Sequence, residues 1–143
     1  VVIPAGTYLS ATILLKDNVT LHLEEGALLL GVTDLNRYDW VDPFFDGLGI
    51  RIGRTFIAAV DAINVGIEGK GVIDGQGSAV KEEHIKTDTR PEGQRWGERP
   101  LLLRIIRCDG VRVKGHNAEV FGIVDLALCA EPQYRDRQCD HTE

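Results

Sequence analysis

Three short apolar runs, each opened by a corner residue and a valine, recur at a fixed interval along the chain. Asn18-Val19 begins VTLHLEEGALLLG, Asn64-Val65 begins VGIEGKGVIDGQG, and Gly110-Val111 begins VRVKG, with 46 residues between successive openings. In the middle run Ile63, Val65 and Ile67 alternate with Asn64 and Gly66, the period of a strand with one buried face. Gly69, Gly71, Gly75 and Gly77 then punctuate a second short run at Val72 and Ile73, so strand, tight turn, strand is the local plan. Recurrence of such a unit at fixed spacing is the signature of a solenoid, in which each repeat buries its apolar face against its neighbours. The expectation is an all-β chain with three successive rows of a parallel β-helix. The interval is about twice the roughly 20–25 residues that one coil needs. The excess falls in two polar inserts, residues 33–54 and 78–99, expected as loops or lateral arms.

Within the first row, residues 13–15, 19–23 and 27–30 are expected as its three apolar sides. Asp17-Asn18 and Glu24-Glu25-Gly26 separate them as turns, since Asn and Gly tolerate the left-handed conformation of a sharp corner. Residues 101–106 rebuild the wall, Cys108-Asp109-Gly110 makes a turn, and residues 111–113 give the third-row strand. After Gly115 the alternation fails. Residues 116–143 place His116 and Asn117 where the wall should run on, and hold two of the three cysteines, Cys129 and Cys139.

Length and charge limit what such a chain can do. At 143 residues it suits one domain. It opens on Val1 and contains no Met, so the natural start is expected upstream, with any signal peptide. No apolar run reaches the length of a membrane span, so the expectation is a soluble segment without a membrane partner. A net charge of −6 argues against a nucleic-acid partner, which calls for a basic face. Three cysteines, Cys108 among them in an apolar run, give neither a disulfide framework nor a metal spacing. No metal and no cofactor is expected.

Each insert offers a candidate binding surface. The first crowds Asp34, Tyr38, Asp39, Trp40, Asp42, Phe44, Phe45 and Asp46 together. Aromatics beside carboxylates form a shelf for sugar rings, or they pin the insert onto the flank of the solenoid, which is the commoner use of such clusters. The second carries Lys81, His84, Lys86, Arg90, Arg95 and Arg99 with Trp96. Guanidinium forks match carboxylates with two bonds, so Arg95 and Trp96 are the candidate substrate-binding residues, against the reading of the insert as a solvated loop.

The strings IPAGTY, LKDNVTLHLEEGA and GVIDGQG, in that order, followed by RPLLLRIIRCDGVRVKG, resemble family 28 of the glycoside hydrolases, the polygalacturonase and rhamnogalacturonase group. The matching pieces cover most of residues 1–115. The resemblance implies a right-handed parallel β-helix of the pectin-lyase-like kind, secretion or a periplasmic location, and a pectic polysaccharide, polygalacturonate or rhamnogalacturonan, as substrate. It also implies inverting hydrolysis, in which one carboxylic acid protonates the leaving oxygen while other carboxylates activate water. That family's catalytic residues lie in motifs of the type NTDG, DD, GHG and RIK on later coils, and none occurs in this sequence. No catalytic residue is therefore assigned. Asp74, in Ile-Asp-Gly-Gln-Gly, is expected to bond backbone N–H groups of its own turn.

The leading expectation is an N-terminal fragment of a pectin-degrading glycosidase, inactive by itself, with residues 116–143 a frame-shifted or truncated end. The alternative is a non-catalytic β-helix module that binds acidic glycans through the two inserts, by way of Trp40, Trp96 and the arginines of the second. A lyase or epimerase on the same scaffold ranks last, because it needs a cation or strong base near the uronate and no ligand cluster is visible.

Overall fold

The computed structural model describes residues 1–115 throughout and, beyond them, the backbone of residues 120–121, 123–128 and 140–142. Strands dominate, and they stack into three parallel sheets that together make a parallel β-helix. The first sheet holds β1 (Val2–Ile3), β4 (Thr20–Leu23), β8 (Ile63–Gly69) and β11 (Asp109–Gly115) in that order. The second holds β2 (Gly6–Ser10), β5 (Ala27–Gly31), β9 (Val72–Asp74) and β12 (Val120–Phe121). The third holds β3 (Ile13–Leu14), β7 (Arg51–Val60), β10 (Leu101–Ile106) and β13 (Ile123–Leu128), with β14 (Asp140–Thr142) antiparallel on β13.

The described residues thus make four rungs where the recurrence predicts three rows. Residues 13–15 do not share a rung with 19–23 and 27–30. Their strand closes an earlier rung that begins at β1, and the third side of the second rung is β7. That first rung escapes the 46-residue pattern because it carries no insert: Val2 lies in register with His22, and Thr7 with Leu28. Strand pairing also continues past Gly115, since Val120 registers with Ile73 and Leu126 with the third-sheet Ile105. Whether 116–143 is frame-shifted or truncated falls outside the described residues, as do Cys129 and Cys139. Cys108 is buried, and its Sγ lies 3.3 Å from the carbonyl of Ile106.

The corner residues explain the recurrence. Asn18 and Asn64 both sit at left-handed φ, 60° and 54°, and Gly110 takes φ 70° at the same corner one rung on. Asn64 Nδ2 donates to Asn18 Oδ1 at 3.0 Å, so the corner stacks as an amide ladder before glycine replaces it. Beside it, the N–H of Ile63 donates to Asp17 Oδ1 at 2.9 Å. These rungs then register Val65 with Val111 and Ile57 with Leu103, and the interior fills with Leu21, Leu29, Ile57, Val65, Leu103 and Ile105.

Burial alternates in β4 and β5 but is nearly continuous in β7 and β10. The reason is that the inserts cover the third sheet and bury its outer side. Both leave from one corner, between the second and third sheets, on consecutive rungs: the first joins β5 to β7 and the second joins β9 to β10. Rungs stack about 4.8 Å apart, so the two inserts lie side by side. The second is more than a loop, because it contains α1 (Gly77–Thr87), whose Val80 is fully buried. The first contains β6 (Trp40–Phe45), antiparallel to the start of β7.

Candidate functional site

The first insert is fastened before it becomes a hairpin. Asp34 Oδ1 accepts the N–H of Asn36 at 3.0 Å and starts a single 3-10 turn, Leu35–Arg37. Tyr38 follows, buried edge-on against Phe56 with ring centroids 6.1 Å apart, and its hydroxyl donates to the Val32 carbonyl at 2.6 Å. Burial pushes its phenol up to about 12, so the donor stays protonated. Tyr38 therefore pins the insert. Trp40 does something else: β6 pairs it with Arg54, and its ring lies under two guanidiniums, Arg51 at 4.3 Å and Arg54 at 4.9 Å from the centroid. Arg54 Nη1 also donates to the Leu35 carbonyl at 2.7 Å and to Asn36 Oδ1 at 3.1 Å. The hairpin end is set by Asp46, whose Oδ1 accepts the N–H groups of Leu48 and Ile50.

The second insert is rooted on the turn that the Gly-rich string builds. Asp74 Oδ1 accepts the Gln76 N–H at 2.8 Å, as expected of a turn aspartate, and Gln76 Nε2 reaches across a rung to the Gly31 carbonyl at 2.6 Å. After α1, Arg90 makes a two-oxygen contact with Asp88 and lays its guanidinium 3.6 Å from the centroid of Trp96. That fork holds the Asp88 carboxyl down at about 2. Trp96 keeps 45% of its surface open. The chain then passes so close to α1 that only glycine fits at position 97: a Cβ there would meet Ile85 Cγ1 at 2.8 Å and the Lys81 carbonyl at 2.8 Å. One residue on, the Glu98 N–H donates to His84 Nδ1 at 2.8 Å.

Where the inserts meet, they enclose a pocket of about 260 Å³. Each supplies one tryptophan, Trp40 and Trp96, and the walls carry Arg51, Arg54 and Arg99 with Glu98 and Asp46. This is smaller than the roughly 300–1,000 Å³ of pockets for drug-sized ligands and suits a single ring. Tryptophan faces take the C–H side of a sugar, and guanidiniums take a carboxylate with paired bonds. The wall thus combines two tryptophans, each already stacked with a guanidinium, with charged groups of both signs.

Of the two residues expected from sequence to bind substrate, the structure places Trp96 in the pocket wall. Arg95 is not in that wall; its Nε donates to the Arg90 carbonyl at 2.6 Å and fastens the loop. The sequence reading missed Arg51 and Arg54. No period marks them, because residues 51–60 are buried almost without alternation and the two arginines come over Trp40 only through the pairing of β6 with β7. Among the described residues no three His, Cys, Asp or Glu side chains gather to hold a metal, and no helix is long and apolar enough to cross a membrane.

The three stacked sheets, with both inserts on their flank, define a parallel β-helix. Solved structures resembling the chain bear this out. It is similar to a family 28 exopolygalacturonase from Yersinia enterocolitica (22% identity, TM-score 0.60, 81% of this chain and 29% of that one). It is similar also to an exopolygalacturonase from Thermotoga maritima (25%, 0.59, 83% and 33%) and to a polygalacturonase from Erwinia carotovora ssp. carotovora (22%, 0.53, 80% and 32%). The chain spans about a third of the length of each. No family model and no curated protein matches it.

Proposed function

We propose that the chain is the N-terminal part of a pectin-degrading glycoside hydrolase, acting on polygalacturonate or rhamnogalacturonan outside the cytoplasm, and that these rungs bind uronate without cutting. The observation that carries the binding role is the pocket shared by Trp40 and Trp96 and walled by Arg51, Arg54 and Arg99. The likeness to polygalacturonases supports the polymer class, and the missing NTDG, DD, GHG and RIK strings support the lack of hydrolysis by this segment. Because the pocket is complete within the segment, a second reading stands beside the first: a non-catalytic β-helix module that binds acidic glycans.

Calorimetry of residues 1–143 with trigalacturonate, paired with a reducing-end assay on polygalacturonate, tests both. Binding is expected, with no release of reducing ends. Trp96→Ala and Arg51→Ala are each expected to weaken binding about tenfold, the order of one stacking or charge-assisted contact. Arg95→Ala, outside the wall, is expected to weaken it less. Turnover that survives repurification sinks the non-cutting role. Binding indifferent to both pocket substitutions sinks the pocket.

A further inference from the structure

We propose that His84 is a positioning residue for this pocket, holding the Trp96 to Arg99 wall in place by accepting the Glu98 N–H at Nδ1, so that the wall loosens when the imidazole becomes a cation. The inference rests on the uronate reading of the pocket.

The geometry makes His84 an acceptor at a defined atom. With the Glu98 N–H donating to Nδ1 at 2.8 Å, the neutral ring must carry its proton on Nε2. A second proton can only go on Nδ1, and it turns the acceptor into a donor facing a donor. The clasp is therefore compatible with neutral imidazole alone. It matters because the same short segment supplies Trp96, Glu98 and Arg99 to the pocket. The wall's other hold on α1 is packing, at Gly97, where the backbone rests against Lys81 and Ile85.

The surroundings offer the cation somewhere to go. Glu83 on α1 and Asp34 of the first insert line an open cleft with His84, Asp88 lies just beyond the end of α1, and Glu98 belongs to the clasped segment itself. Lys81, beside Gly97, and Arg90, committed to Asp88, are the cations nearby. An imidazolium released from Glu98 N–H shares its cleft with the carboxylates of Glu83 and Asp34. A further support of the wall, beside the packing at Gly97, does not change over the same range, because Asp88 is held at about 2 and keeps Arg90 over Trp96. Histidine is the side chain suited to a charge change between pH 5 and 8, whereas uronate carboxylates stay ionised well below pH 5. A change in binding between pH 7.5 and 5 thus reads the protein.

The test compares the wild type with His84→Asn, whose Oδ1 takes the place of Nδ1 and does not titrate, and with His84→Ala. Amide exchange at Glu98 is measured at pH 7.5 and pH 5 and expressed relative to the intrinsic rate, and trigalacturonate affinity is measured beside it. In the wild type, Glu98 protection and affinity are both expected to fall about tenfold at pH 5, the worth of one such bond. His84→Asn is expected to hold both at either pH, and His84→Ala to show the weakened values at either pH. Equal pH profiles for wild type and His84→Asn overturn the proposal. A pH-dependent Glu98 amide with no trigalacturonate binding at either pH upholds the clasp and overturns the uronate reading instead.

Discussion

Gly69→Ala is expected to cost roughly 3–5 kcal/mol, a large part of the about 5–15 kcal/mol that holds a domain of this size together. Gly69 ends β8 at φ 113°, and a Cβ built there would stand 1.9 Å from the carbonyl oxygen of Leu23. That oxygen cannot move aside, because it accepts the N–H groups of both Lys70 and Gly71, at 3.0 and 3.2 Å, and so fixes the turn from the first sheet to the second. Two costs combine: about 1–3 kcal/mol for a side chain at a glycine-only backbone angle, and about 1–3 kcal/mol for overpacking against a rigid neighbour. The midpoint of urea unfolding reads the result. Gly47→Ala is the control, since Gly47 has an ordinary φ and nothing within 4 Å of its would-be Cβ, and it is expected to stay within about 0.5 kcal/mol of wild type. Equal midpoints for the two variants overturn this account of the turn.

Arg104→Leu is the second large effect, expected at about 2–5 kcal/mol. Arg104 lies on β10, only 5% exposed, in register with Ala58, whose short side chain leaves it room. Its Nη1 donates to the carbonyls of Val41 and Asp42 in β6, and its guanidinium lies 4.9 Å from the centroid of Phe44. Leucine fills much of the space but leaves those carbonyls without this donor. Unpaired buried acceptors cost about 1–3 kcal/mol each, and hydrogen bonds to a charged group contribute about 1.5–3 kcal/mol. Because β6 carries Trp40, the same substitution is expected to weaken trigalacturonate binding as well as lower the urea midpoint. Arg104→Lys is expected to fall between, since an ammonium lacks the planar fork. A leucine variant as stable as wild type would remove Arg104 from the list of anchors.

How far the sequence could be read follows from where its periods come from. The stacked corners at Asn18, Asn64 and Gly110 set a local, repeated demand on backbone angle, and that demand is written in residue type. The same holds for Asp74, whose bond to Gln76 N–H lies two residues away. The first rung was hidden because its short interval is not repeated, although Val2 and Thr7 occupy ordinary strand positions. The inserts were legible as inserts and not as structures. Helix α1 has charged residues around most of its surface, and what holds it, Val80 buried on the coil and Gly97 packed on its flank, depends on parts of the chain far from it in sequence. Trp96 could be chosen from its type alone. Arg51 could not, because its place depends on the pairing of β6 with β7, which brings it over Trp40.

The common corner from which both inserts leave has a bearing on how such a protein changes. The first rung passes from β2 to β3 with only Ala11 and Thr12 between them, while the next two rungs spend their long excursions at that position. Chain length at this corner is thereby uncoupled from the registers of the three sheets, and the coil tolerates two residues or two dozen. The flank is in effect a replaceable cartridge: a new pair of neighbouring inserts would meet over the third sheet and frame a different cleft, with the stacked corners beneath them unaltered.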